Sequence, residues 1–235
     1  MPVRESQRLQ LHLLNLFGAW RTMCSNGVSS RGALIVLEGL DRVGKSTQCF
    51  QVVEKLNKMG KRAEAWRFPD RTTPLGKVIG DYLLNATDMD DRSIHLLFSA
   101  NRWEKRAEML DKLKKGITLV IDRYAFSGVA FSSAKPGLSI EWCRQPDVGL
   151  PKPDLVCFLH ASQEVLKTRG GYGTERYEYE NFQAVVAERY LELVDDTWVL
   201  VDATSTTDDI TKNLLKIIQE KTIHLPEEIG KLWLD

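Results

Sequence analysis

The sequence predicts a doubly wound α/β domain, with a five-stranded parallel sheet carrying helices on both faces. Three observations predict it. Five short apolar runs lack polar alternation, as strands buried on both faces do. Longer amphipathic segments separate them, and parallel strands need such crossovers. A glycine-bearing loop joins the first run to the first helix, and in open α/β sheets ligands gather at the carboxyl ends of the strands.

In chain order the runs are "ALIVL" (33–37), "AEAWRF" (63–68), "GITLVI" (116–121), "DLVCFL" (154–159) and "WVLVD" (198–202). The first helix is expected over Ser46–Met59, with Val52, Val53, Leu56 and Met59 on one side and Gly60 as its stop. Residues 92–114 place apolar side chains at three- and four-residue steps and are expected as one helical stretch. Phe182–Val194 and Ile210–Gln219 supply two more. Residues 31–235 contain no internal repeat, low-complexity tract or linker and are read as one domain.

Composition narrows the function classes. Of 235 residues, 43% are hydrophobic and 27% charged, ordinary values for a globular chain. With 32 basic and 32 acidic residues the formal net charge is zero, so there is no bulk electrostatic case for nucleic acid or membrane partners. Cys24, Cys49, Cys143 and Cys157 are scattered, without zinc spacing, and imply free thiols in a reducing compartment. No apolar stretch approaches the roughly 20 residues needed to span a bilayer.

The chemistry concentrates in "EGLDRVGKST", where Gly39, Gly44, Lys45 and Ser46 fit G-x-x-x-x-G-K-[ST] between a strand and a helix. Backbone N–H groups from Leu40 to Thr47 can close around a β-phosphate at the helix N-terminus, Val43 among them. Lys45 is expected to bridge the β- and γ-phosphates, and the Ser46 hydroxyl to coordinate Mg²⁺. Arg42 can neutralise charge on a transferred phosphoryl group in cis. Asp41 is unfavourable beside phosphates unless it faces a second ligand, such as a substrate hydroxyl.

A guanine-nucleotide switch is excluded by the missing N-K-x-D: the only N-K, Asn57-Lys58-Met59-Gly60, lacks the aspartate and falls in a helix. Instead "DRYAFSG" follows the third run, offering Asp122 to a Mg²⁺ water shell and Arg123 to a phosphate. "RFPDRTTP" offers Arg71 on a proline-punctuated loop. "LLFSANRWE" sets Phe98 and Arg102 at i and i+4, an aromatic face to stack a base and a guanidinium for its carbonyl edge. The competing reading there is a core phenylalanine and a solvated Arg–carboxylate pair. "TRGGYGTERYE" (168–178), with Arg169, Arg176 and Tyr177, reads as a lid over bound nucleotide, against an ordinary surface loop.

These segments, with "QPDVGLPKPDLV" and "IGKLW", run in the order of one family, and the chain resembles thymidylate kinases from about Arg31 onward. The resemblance implies the P-loop NTPase fold with a short lid, the reaction ATP + dTMP → ADP + dTDP with Mg²⁺, and a homodimer in the cytoplasm, with the nucleus also open. By that resemblance Phe98 stacks on thymine, Arg102 donates to its O4 and Ser127 approaches the base edge. Arg71 and Arg123 hold the dTMP phosphate, and Asp41 lies near the sugar 3′-hydroxyl. Tyr177 crowds a ribose 2′-hydroxyl, with Gln183 nearby, Phe68 and Phe131 complete the acceptor site, and Arg169 joins the ATP site. Arg42 resembles the eukaryotic arrangement, with the catalytic arginine in the loop. The rival readings are a kinase of another nucleotide and a nucleotide-binding protein without catalysis.

The first thirty residues have no counterpart in that pattern. Arg4, Arg8 and Arg21 stand against one acid, Glu5, and Leu9, Leu13, Leu16 and Trp20 recur at helical spacing. A mitochondrial transit peptide and a gene-model extension with Met23 as the start both fit, and the extension is preferred.

Overall fold

The computed structural model describes residues 31–162, 165, 176–177 and 179–234, so the leader, Arg169 and most of the expected lid lie outside the described residues. All five expected strands form: β1 Leu34–Glu38, β2 Ala63–Arg67, β3 Thr118–Asp122, β4 Leu155–His160 and β5 Trp198–Asp202. They make one parallel sheet in the order β2-β3-β1-β4-β5. Leu34 pairs with Leu119 on one side of β1, and Ile35 with Leu155 on the other.

The described helices are α1 Lys45–Lys58, α2 Pro74–Leu83, α3 Asp91–Trp103, α4 Arg106–Lys114, α5 Ala125–Ser133, α6 Ile140–Arg144, α7 Glu180–Leu191 and α8 Thr207–Lys221. Alternation along β1 divides the core between them, because successive strand side chains point to opposite faces. Leu34 and Val36 pack with Met109, Leu113, Phe126, Val129, Val186 and Tyr190 of α4, α5 and α7. Ile35 and Leu37 pack with Cys49, Val52 and Leu56 of α1 and with Ile210, Leu214 and Ile218 of α8. A smaller cluster of Ile79, Tyr82, Leu83, Ile94 and Tyr177 joins α2 to α3 outside the sheet.

Three corrections to the expected elements arise. The stretch 92–114 is two helices, broken at Glu104 and Lys105. The break has a side-chain cause. Glu104 accepts from Thr73 Oγ1 at 2.7 Å and Lys105 Nζ lies 3.3 Å from Asp70, so both are drawn towards the loop after β2. Helix α2 was not expected, because Gly76 and Gly80 obscure its pattern. Its Thr73-Pro74 start is a cap signal nonetheless, with Thr73 Oγ1 accepting from the Gly76 N–H at 3.0 Å. Gly76 is required there: a Cβ would lie 1.7 Å from the Asp70 carbonyl oxygen. Helices α5 and α6, also unexpected, carry no clear amphipathic period. Gly60 ends α1 as expected, at φ 79°.

Candidate active site

A cleft of about 600 Å³ opens beside the carboxyl ends of β1, β2 and β3. It lies where the chain's connections leave β1 for opposite sides of the sheet, the usual place for a ligand in such folds. Its wall includes the continuous run Asp41–Gln48, then Phe68, Arg71, Phe98, Arg102, Asp122, Arg123, Ser127, Phe131 and Tyr177. Residues from position 41 to position 210 of the chain thus meet in one place.

The loop between β1 and α1 is built to receive an anion. Gly44 caps α1 without a side-chain hydrogen bond, so the first-turn N–H groups meet no capping oxygen. Arg42 sits at φ 63°, a left-handed conformation rare outside glycine. Gly39 and Leu40 stand behind the wall: the Leu40 carbonyl accepts from Lys45 Nζ at 2.6 Å and the Gly39 carbonyl from Arg123 Nη1 at 3.4 Å. Burial, then the nearby Arg123 charge, lowers the Lys45 ammonium to about 8.

Arg123 is the hub of the cleft. It too is left-handed, at φ 68°. Its Nη2 donates to Asp41, its Nη1 donates to Ser127 Oγ at 3.1 Å, and its guanidinium lies 5.2 Å from the Phe131 ring centre. Burial opposes the Asp41 charge, but Arg123 and Lys45 outweigh it and hold the carboxyl below its ordinary value. Burial likewise works against the Arg123 charge, and Asp41 more than restores it. Gln183 is not in the wall but clamps it, donating to Asp41 Oδ2 at 2.7 Å and to the Tyr177 carbonyl at 2.9 Å.

Phe98 and Arg102 project together from α3, as the i,i+4 spacing predicts. Both lie on the cleft, and Phe98 packs against the small α2–α3 cluster. Arg102 is buried, in a bidentate pair with the equally buried Asp147: Nε to Oδ1 at 3.0 Å and Nη2 to Oδ2 at 2.6 Å. The solvated pair of the competing reading is therefore replaced by a desolvated one. Gly128 permits it, since a Cβ there would meet Arg102 Nη2 at 2.7 Å. Tyr177 stacks on Phe182 at 5.2 Å and its hydroxyl lies 2.9 Å from that of Tyr82. Ser127 has most of its hydroxyl capacity turned inward, as its Oγ donates to Glu38 Oε2 at 2.6 Å.

Ser46 Oγ donates to Asp122 Oδ2, bringing two hard oxygen donors together at the loop. Among the described residues no group of three or more His, Cys, Asp or Glu could hold a metal. A sparse oxygen pair suits Mg²⁺, which keeps waters and binds through one or two protein ligands plus phosphates.

Four contributors carry no signal in the sequence that points to the cleft: Glu38, Asp147, Thr207 and Ile210. Glu38 and Asp147 are wholly buried carboxylates whose partners are remote in sequence. Thr207 and Ile210 line the cleft from the start of α8, where an ordinary helix start gives no chemical signal.

The Thymidylate kinase family model matches residues 37–214. The chain is 54% identical over 208 residues to the thymidylate kinase of Danio rerio, covering 86% of this chain and 98% of that protein. It is 49% identical over 208 residues to that of Homo sapiens, with the same coverage. The solved thymidylate kinase of Candida albicans superposes with a TM-score of 0.79 at 41% identity, over 86% of this chain and 98% of the other. The chain belongs to the thymidylate kinase family.

Proposed function

We propose that this protein transfers the γ-phosphate of ATP to dTMP, giving ADP and dTDP, with the cleft residues in the following roles. One observation carries the reading: a single cleft is lined both by the phosphate loop Asp41–Gln48 and by an aromatic and arginine set, Arg71, Phe98, Arg102 and Arg123. Two nucleotides can meet there phosphate to phosphate.

The attacking oxygen belongs to an ionised phosphate, so no general base is required and catalysis is positioning plus charge neutralisation. Lys45 and the loop N–H groups hold the β- and γ-phosphates, and Arg42 faces the transferred group. Arg71 and Arg123 hold the acceptor phosphate, while Asp41, fixed by Arg123 and Gln183, accepts from the sugar 3′-hydroxyl. Phe98 stacks on the base and Arg102 donates to its edge, with Phe68, Ser127 and Phe131 completing that wall. Tyr177 crowds the position of a ribose 2′-hydroxyl and so favours deoxyribose. Ser46 and Asp122 would hold Mg²⁺, which would supply neutralisation of phosphate charge when bound.

Arg169 belongs to the same proposal on family resemblance, as do a homodimer, a cytoplasmic setting and the division into a leader (1–30) and a kinase domain (31–235). Among the described residues no helix is long and apolar enough to cross a membrane.

An ADP-release assay across acceptors tests the substrate. Turnover with dTMP is expected to exceed that with UMP and AMP by about 100-fold in kcat/KM, because UMP adds a hydroxyl where Tyr177 crowds the sugar and AMP presents a different base edge to Arg102. UMP turned over faster than dTMP would overturn the reading.

A further inference from the structure

Glu38 is the last residue of β1, directly before the phosphate loop, and it is 0% exposed. Buried carboxylates are rare unless fully partnered, and this one is. Its Oε1 accepts the N–H groups of Tyr124 at 2.9 Å and Ser127 at 3.1 Å. Its Oε2 accepts the hydroxyls of Ser127 at 2.6 Å and Tyr190 at 3.0 Å. The two amides lie at the N-terminus of α5, whose N-cap Tyr124 makes no side-chain cap of its own. Glu38 therefore caps that helix from the neighbouring strand, where negative charge is favoured.

The residue preceding that cap is Arg123. Its left-handed backbone is held from both sides: its own N–H donates to the Leu37 carbonyl at 3.1 Å, and Glu38 pins Tyr124 next to it. Its guanidinium is aimed through the same carboxylate, because the Ser127 hydroxyl, held by donating to Glu38, turns its lone pairs to Arg123 Nη1 at 3.1 Å. One buried anion thus fixes both ends of the arginine, its backbone turn and its head group.

We infer that Glu38 is a positioning residue for phosphoryl transfer, acting through Ser127 and the turn at Arg123, with Tyr190 as its support. The inference rests on the reading of Arg123 as a ligand of the acceptor phosphate. In a Glu38→Gln variant an amide oxygen can keep the two backbone N–H groups while the NH₂ faces the hydroxyls. The helix cap survives, but the buried charge is lost, and the new NH₂ donates to the Ser127 oxygen in competition with Arg123 Nη1.

The test is a double-mutant cycle on kcat and KM for dTMP and ATP, using Glu38→Gln, Arg123→Ala and the combination. Glu38→Gln is expected to lower kcat/KM for dTMP by about 10- to 100-fold with KM for ATP within about threefold, and to add almost nothing once Arg123 is alanine. Tyr190→Phe keeps the ring and removes one donor to Oε2. It is expected to give a smaller loss, again absent in the Arg123→Ala background, and it decides the matter if Glu38→Gln does not fold. If Arg123→Ala itself retains full activity, the phosphate reading and this inference fall together. If Arg123→Ala is crippled while Glu38→Gln and Tyr190→Phe are unaffected, or if their losses multiply with that of Arg123→Ala, only the inference falls.

Discussion

Two arginines in the cleft, Arg42 and Arg123, occupy left-handed backbone at φ 63° and 68°. Such a conformation costs a non-glycine residue roughly 1–2 kcal/mol, and it persists only where surrounding structure enforces it. Arg123 shows how: its amide, its head group and the turn after it are each hydrogen-bonded. Arg42 is placed on the phosphate loop itself, so its removal isolates charge neutralisation from acceptor binding. Arg42→Ala is expected to lower kcat by on the order of 10³-fold while leaving the calorimetric affinity for dTMP within about threefold. Weakened dTMP affinity at normal kcat would assign Arg42 to the acceptor instead.

His95 gives a second residue-scale prediction. Nε2 lies 2.9 Å from the Cys143 carbonyl and donates to it, and Nδ1 lies 2.8 Å from Ser132 Oγ, whose hydroxyl can donate to a neutral ring. Burial, reinforced by the Arg102 charge, lowers its pKa from 6.5 to about 4. The unfolded chain therefore binds the proton first as pH falls. Stability from His95 is complete above pH 6.5 and is lost progressively towards pH 4. The urea midpoint is expected to fall across that window, less steeply in His95→Gln, with the imidazole ¹⁵N shifts still those of a neutral ring at pH 5.

At the scale of elements, α3 carries the proposed acceptor wall and holds a buried ion pair. Asp147→Ala strands the Arg102 guanidinium in a desolvated site and is expected to cost about 3–5 kcal/mol in denaturant unfolding. Arg102→Met with Asp147→Leu is expected to recover most of that stability and none of the dTMP activity. Recovery of both would make the pair purely structural. Elements were legible in the sequence where one physical signal dominated. The strands announced themselves because burial on both faces removes polar alternation, and all five stand within a residue or two of expectation. Helix α2 was hidden by Gly76, which a tertiary contact with Asp70 demands. The single stretch 92–114 was split by side chains drawn to a loop some thirty residues upstream, which local periodicity cannot register.

For the whole molecule, the site was legible as motifs and illegible as a network. The phosphate loop, Asp122, Arg123, Phe98 and Arg102 each carry local spacing that suggests a chemistry, and the cleft gathers them. Glu38 and Asp147 carry no such spacing, because their partners lie 45 to 152 residues away, and Gln183 is named by resemblance alone, its bond to Asp41 spanning 142 residues. The sheet order closes these distances. With β1 between β3 and β4, the loop after β1 meets the turn after β3 on one side, and α7 folds back over both. Phosphoryl transfer between two nucleotides is therefore a property of the sheet's carboxyl edge, to which several elements contribute.

The central claim is that ATP and dTMP meet in this cleft with their phosphates facing across Arg42, Lys45 and Arg123. A crystal structure with dTMP and a non-hydrolysable ATP analogue tests it most directly. Thymine is expected stacked on Phe98, the dTMP phosphate within hydrogen-bond distance of Arg71 and Arg123, and the γ-phosphate between Lys45 and Arg42. A dTMP phosphate directed away from the loop, or a pyrimidine bound elsewhere than against Phe98, would contradict it.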